Sequence, residues 1–102
     1  MTSRVVHHPR LAWDGARAFV AAVQSDVLYF WLRARLGEVL GEEYQQALSD
    51  SYDRVQFPLR VDAYVVELGI WRARLVDALN SRPELRTPIA DLIKVLRTKL
   101  PS

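Results

Sequence analysis

Residues 12–34 read AWDGARAFVAAVQSDVLYFWLRA, and their apolar positions decide the fold class. Ala16, Phe19, Val20, Val23, Val27, Phe30, Trp31 and Ala34 recur at steps of three and four. That spacing lays side chains along one face of a helix. No stretch of the chain alternates apolar and polar residues in the way a half-buried strand requires. Ser25 and Asp26 suit a helix start. The stripe nevertheless passes through them in phase, which favours one long helix over two without settling the choice.

Towards the C-terminus, Gly37 and Gly41 weaken the helix end, and Glu38 and Glu42 would repel at four-residue spacing. A break is therefore expected near Gly41. A second helix follows from about Glu42, whose acidic start suits the helix dipole, with Tyr44, Ala47, Leu48 and Tyr52 on its apolar side. It must end before Pro58, because the residue preceding a proline resists helical geometry. Pro58 itself suits the first position of a third helix. Leu59, Ala63, Val66 and Ile70 mark one side of that helix, and Val61, Val65, Leu68, Leu75 and Leu79 another. Apolar residues on two sides imply a central helix, buried on both.

Asn80–Ser81 ends the third helix, and Ser81 with Glu84 has capping-box spacing for a short turn. Thr87–Pro88 then opens a last helix with Ile89, Leu92, Ile93, Leu96 and Leu100 facing inward and its bases placed late. In the other direction, residues 1–10 show no period and contain Pro9, so they read as a flexible arm ahead of one helical domain over 11–102. The expected fold is all-α, a single four- or five-helix bundle.

Composition narrows function mainly by exclusion. The 102 residues are 50% apolar and 25% charged, enough for one core and one domain. Cysteine is absent, which removes disulfides, iron–sulfur clusters and thiolate zinc sites, and leans towards a cytoplasmic setting. Apolar runs stop far short of the roughly 20 residues that span a bilayer, so no membrane partner is expected. Net charge is only +2, distributed as basic ends around an acidic stretch at residues 36–53. Abundant Arg, Ala, Val and Leu give the chain the look of a high-GC bacterial product.

His7 and His8 are adjacent, lack a third ligand at metal-site spacing and lie in the arm. With no other imidazole and no thiol, nucleophilic triads have nothing to build on, and neither catalysis nor a cofactor site is expected. Glu42, Glu43, Asp50 and Asp53 read as a solvated acidic face, and Glu67, set between Val66 and Leu68, as half of an ion pair with an arginine from another helix. Arg82, Arg86, Lys94, Arg97 and Lys99 are the best candidates for a phosphate-binding face, but no helix-turn-helix spacing accompanies them and nucleic acid is not the expected partner. The segment Arg33-Ala34-Arg35-Leu36, with Leu40, echoes Arg72-Ala73-Arg74-Leu75 with Leu79, but two copies do not establish a repeat.

The aromatics carry the sharpest functional hint. Tyr29, Phe30 and Trp31 are consecutive and cannot all face one side of a helix, and neither can Ile70 and Trp71. At least one of Tyr29, Trp31 and Trp71 is therefore expected at the surface beside Arg33, Arg35, Arg72 or Arg74. Aromatic and arginine side chains together are what interface centres favour. The C-terminal third, Arg74 to Arg86 followed by a Thr-Pro-started helix, resembles small actinobacterial effector-associated helical modules. Those are death-like adaptor bundles attached to proteases or NTPases, and the resemblance implies pairing with a partner domain. The expected function is thus a non-enzymatic, bacterial protein-interaction module whose partner is another protein or a second copy. A small nucleic-acid-associated or antitoxin-like regulatory protein is the alternative.

Overall fold

The structure is a computed structural model that describes residues 7–101, with side chains from Pro9 onward. The first six residues of the expected arm, and the side chains of His7 and His8, lie outside the described residues. Among the described residues, five α-helices form the fold: α1 (His7–Ala22), α2 (Asp26–Leu40), α3 (Glu42–Gln56), α4 (Ala63–Ser81) and α5 (Arg86–Lys99). A 3-10 turn, Pro83–Leu85, separates the last two. No strand occurs among the described residues, and the chain is an all-α bundle.

Residues 7–10 are helical rather than loose, which corrects the expected arm. Pro9 fits because the first four N–H groups of a helix have no intrahelical acceptor, so a missing one costs nothing there. The long stripe over 12–34 also proves to be two helices. Gln24 and Ser25 N–H groups bond back only three residues, to Ala21 and Ala22, which tightens the chain out of the α-helix. Ser25 then takes an extended conformation (φ −123°, ψ 125°) and caps α2 through its side chain. The restart changes which residues face inward. Tyr29, Leu32, Leu36 and Leu40 are buried, while Val27 and Phe30, which the unbroken stripe placed on the core side, are 78% and 63% exposed.

Gly41 ends α2 with φ +100°, a conformation that side-chain-bearing residues rarely adopt, and its N–H bonds to the carbonyls of Gly37 and Leu36. Helix α3 stops at Gln56, before Pro58 as expected. Helix α4 starts five residues later than expected. Beginning it at Pro58 would leave Phe57 alone to reverse the chain, whereas antiparallel helices need a connection of several residues. Pro58–Asp62 supplies that connection, so Leu59 and Val61 are fully exposed instead of buried.

Helices α1 and α4 run antiparallel, Pro9 lying near Asp77 and Phe19 near Trp71, where the two rings meet edge-on at 5.5 Å. Gly15 allows a close approach: a Cβ there would lie 2.7 Å from Leu75 and 3.1 Å from Ile93. Helix α4 buries one face only, through Ala63, Glu67, Trp71, Leu75, Ala78 and Leu79, which corrects the reading of a helix buried on both sides. Val65 on its other side is 65% exposed, and Gly69 faces open space. Helix α5 buries Ile89, Leu92, Ile93 and Leu96, the residues its spacing singled out, and packs on α1 and α2. The capping box at Ser81 does not form; Arg82 precedes the 3-10 turn, with no side-chain cap bond.

Candidate functional site

The site begins with a charge in the core. Glu67 is 1% exposed on the buried face of α4. Burying a carboxylate is costly unless every lone pair finds a donor. Helix α3 supplies three donors: Ser51 donates to Oε1 at 2.6 Å, and Arg54 donates through Nη2 to Oε1 at 3.0 Å and through Nε to Oε2 at 2.5 Å. The Trp71 indole in turn donates to Ser51 Oγ at 2.8 Å. The expected partner, an arginine from another helix, is thus Arg54. Its contact with Glu67 raises the guanidinium pKa above its ordinary value, and it stays charged. Two adjacent turns of α3 and two of α4 are pinned together by this cluster.

Above the pair, the end of α3, the connection and the first turns of α4 enclose a groove of about 450 Å³. Phe57, Leu59, Ala63 and Val66 form its apolar walls, and the Arg54–Glu67 pair lies at one side. Arg60 pairs with Asp62 in the connection. That contact holds the Asp62 carboxyl below the usual carboxylate range. Phe57 is 76% exposed, and Leu59 and Val61 have essentially no cover.

The start of α2 lies at the same end of the bundle. Tyr29 stacks on Tyr52 with centroids 4.1 Å apart, Tyr52 donates to Asp26 at 2.6 Å, and Gln56 donates to the Val23 carbonyl at 3.1 Å. Exposed Val27 and Phe30 therefore share this end with Phe57, Leu59, Val61, Tyr64 and Val65. Among the described residues, Trp13 and Val95 are the large apolar side chains exposed elsewhere. An apolar concentration of this kind is unusual on an isolated domain.

The aromatic–arginine patch expected from the sequence does not assemble. Tyr29 and Trp71 are buried, and Trp31 is half-buried beneath the Lys99 ammonium, 5.0 Å from its ring. The four arginines disperse. Arg72 lies over Trp13 and Arg35 pairs with Glu38 at 3.0 Å. Arg74 lies over Trp71, and it lines with Arg33 an open groove opposite Glu42, Glu43 and Asp50. The argument that consecutive aromatics must diverge holds, but the outward ring is Phe30. The basic set divides too, with Arg82 and Arg86 at one end of α5 and Lys94, Arg97 and Lys99 towards the other.

Sequence reasoning missed Phe57, Leu59 and Val61 as surface residues. The available signal was connection length: three large apolar residues flank a proline where the chain must reverse. Among the described residues, no three His, Asp or Glu side chains gather as a metal-ligand set, and no helix is long and apolar enough to cross a membrane. No protein-family model matches the chain, and comparison with curated proteins and with solved structures finds no match.

Proposed function

We propose that this chain is a non-enzymatic protein-interaction module that docks a protein partner through the apolar end built by Phe57, Leu59, Val61 and Val65. The observation that supports this most is the cost of the arrangement. Apolar surface left in water forgoes about 25 cal/mol per Å², yet the chain leaves Phe57 and Leu59 uncovered on the walls of one groove, with Val61 and Val65 exposed on the adjoining connection and α4. The Glu67–Arg54 cluster beneath holds α3 against α4, so the groove is a preformed shape and needs little ordering on binding. The resemblance of Arg74–Arg86 to adaptor modules points the same way.

Site-specific photo-crosslinking tests the reading. A photoreactive residue at position 59 should give a defined adduct in the source cells, whereas one at position 42, at the opposite end, should not. The adduct's protein, purified, should bind the chain and lose at least tenfold in affinity to Leu59→Asp. Equal adducts at both positions, or binding indifferent to Leu59→Asp, would overturn the reading.

A further inference from the structure

The occupant of the apolar end can be named from the surface itself, on the footing that this end is a docking site. We infer that it receives a second copy of this chain, in a two-fold pairing in which the Phe57–Val61 segment of each copy packs against the groove of the other. A two-fold interface brings one patch against itself, so the patch must be both knob and hole. The connection between α3 and α4 is both. Phe57 and Leu59 line the groove, and the same segment raises Leu59 and Val61 fully clear of the surface.

Charge discriminates between possible occupants. A surface meeting its own copy meets its own charges, and like charges in contact are strongly disfavoured. Here Arg54 is matched by Glu67 and Arg60 by Asp62 within the chain, leaving Asp53 as the unmatched charge on the groove. An acidic or a basic peptide would find little to recognise in so balanced a patch.

Extent fits a modest dimer. Phe57, Leu59, Val61, Tyr64 and Val65 each expose on the order of 100 Å², together more than half of the roughly 800 Å² per partner of a standard interface.

Sedimentation of the full chain between about 1 and 500 µM tests the inference, with Leu59→Asp and Val61→Asp as variants. Both side chains are fully exposed in the monomer, so circular dichroism melting at low concentration should match the parent chain. The expected result is a monomer–dimer equilibrium for the parent, weakened at least tenfold by either variant. The absence of cysteine gives a second readout. Leu59→Cys should oxidise to a covalent dimer far faster than Glu42→Cys. A parent chain that stays monomeric at 500 µM overturns the second copy as occupant; a specific adduct at position 59 would then leave the docking role standing with a different protein. A dimer equally strong with Leu59→Asp and Val61→Asp overturns the pairing through this end, and the position-59 adduct again decides the docking role.

Discussion

Trp71 and Phe57 are both large aromatics near the α3–α4 pair, and the chain treats them in opposite ways. Trp71 is wholly buried, edge-on to Phe19, with its indole N–H bonded to Ser51 and its face covered by Arg74. Phe57, three-quarters exposed, closes α3 where the chain turns. Between them lies Glu67, which forms the floor of one region and a wall of the other. The difference shows that the bundle's interior is complete without the connection. The exposed apolar end is therefore not a core that failed to close, because the Glu67 carboxylate beneath it is paired and hydrogen-bonded.

The largest expected effect lies on the interior side of this contrast. Leu96→Asp places a charge where α5 packs on α1 and α2, and should cost about 4 kcal/mol or more in equilibrium denaturation. A loss under about 0.5 kcal/mol would mean that α5 is not part of the core. Next comes the floor. Arg54→Ala removes the principal partner of a buried carboxylate, a change worth 3–5 kcal/mol in fully buried pairs. Arg54 is itself nearly half exposed, so water screens the loss and about 2 kcal/mol is expected. Recovery of most of that stability in Arg54→Ala/Glu67→Leu would confirm that the stranded charge, and not lost packing, causes the damage.

A smaller effect is visible by titration. The Tyr52 hydroxyl donates to Asp26, and that hydrogen bond raises the phenol above its ordinary value of 10.0. A raised folded-state pKa means that the stability it contributes is present below about pH 10 and is lost as pH rises through the folded value. Asp26→Asn should therefore lower the Tyr52 midpoint in a phenolate absorbance titration. An unchanged midpoint would show that the start of α2 is not held against α3 by this bond. The smallest effect belongs to the apolar end: Leu59→Asp should change the monomer's stability by less than about 0.5 kcal/mol, as surface substitutions do.

The sequence made some of this legible and hid the rest for definable reasons. Helix α5 was readable because Ile89, Leu92, Ile93 and Leu96 repeat cleanly between polar residues, and the breaks at Gly41 and before Pro58 because those residues act through local sterics. The pairing of Glu67 followed from the cost of burying a charge. The division between α1 and α2 was hidden because a three-residue turn preserves apolar spacing while rotating the helix that follows, and so Val27 and Phe30 were assigned to the wrong side. Leu59 and Val61 look like core by type. Their exposure follows from the room needed to reverse the chain, a tertiary requirement. The aromatic–arginine patch failed for a similar reason: Tyr29 and Trp71 satisfy the interior and leave the surface to Phe30 and Phe57.

The central claim is that the Phe57–Val61 end is open in the single chain and covered in its working state. Carbene footprinting of the parent chain, at about 1 and about 500 µM, addresses it most directly. The account predicts heavy labelling of Phe57, Leu59 and Val61 at the low concentration, with Tyr29 and Trp71 unlabelled. At the high concentration labelling of the 57–61 segment should fall severalfold while that of Glu42 and Glu43 stays constant. A 57–61 segment that is already protected at 1 µM would contradict the account, since the apolar end would then belong to the core.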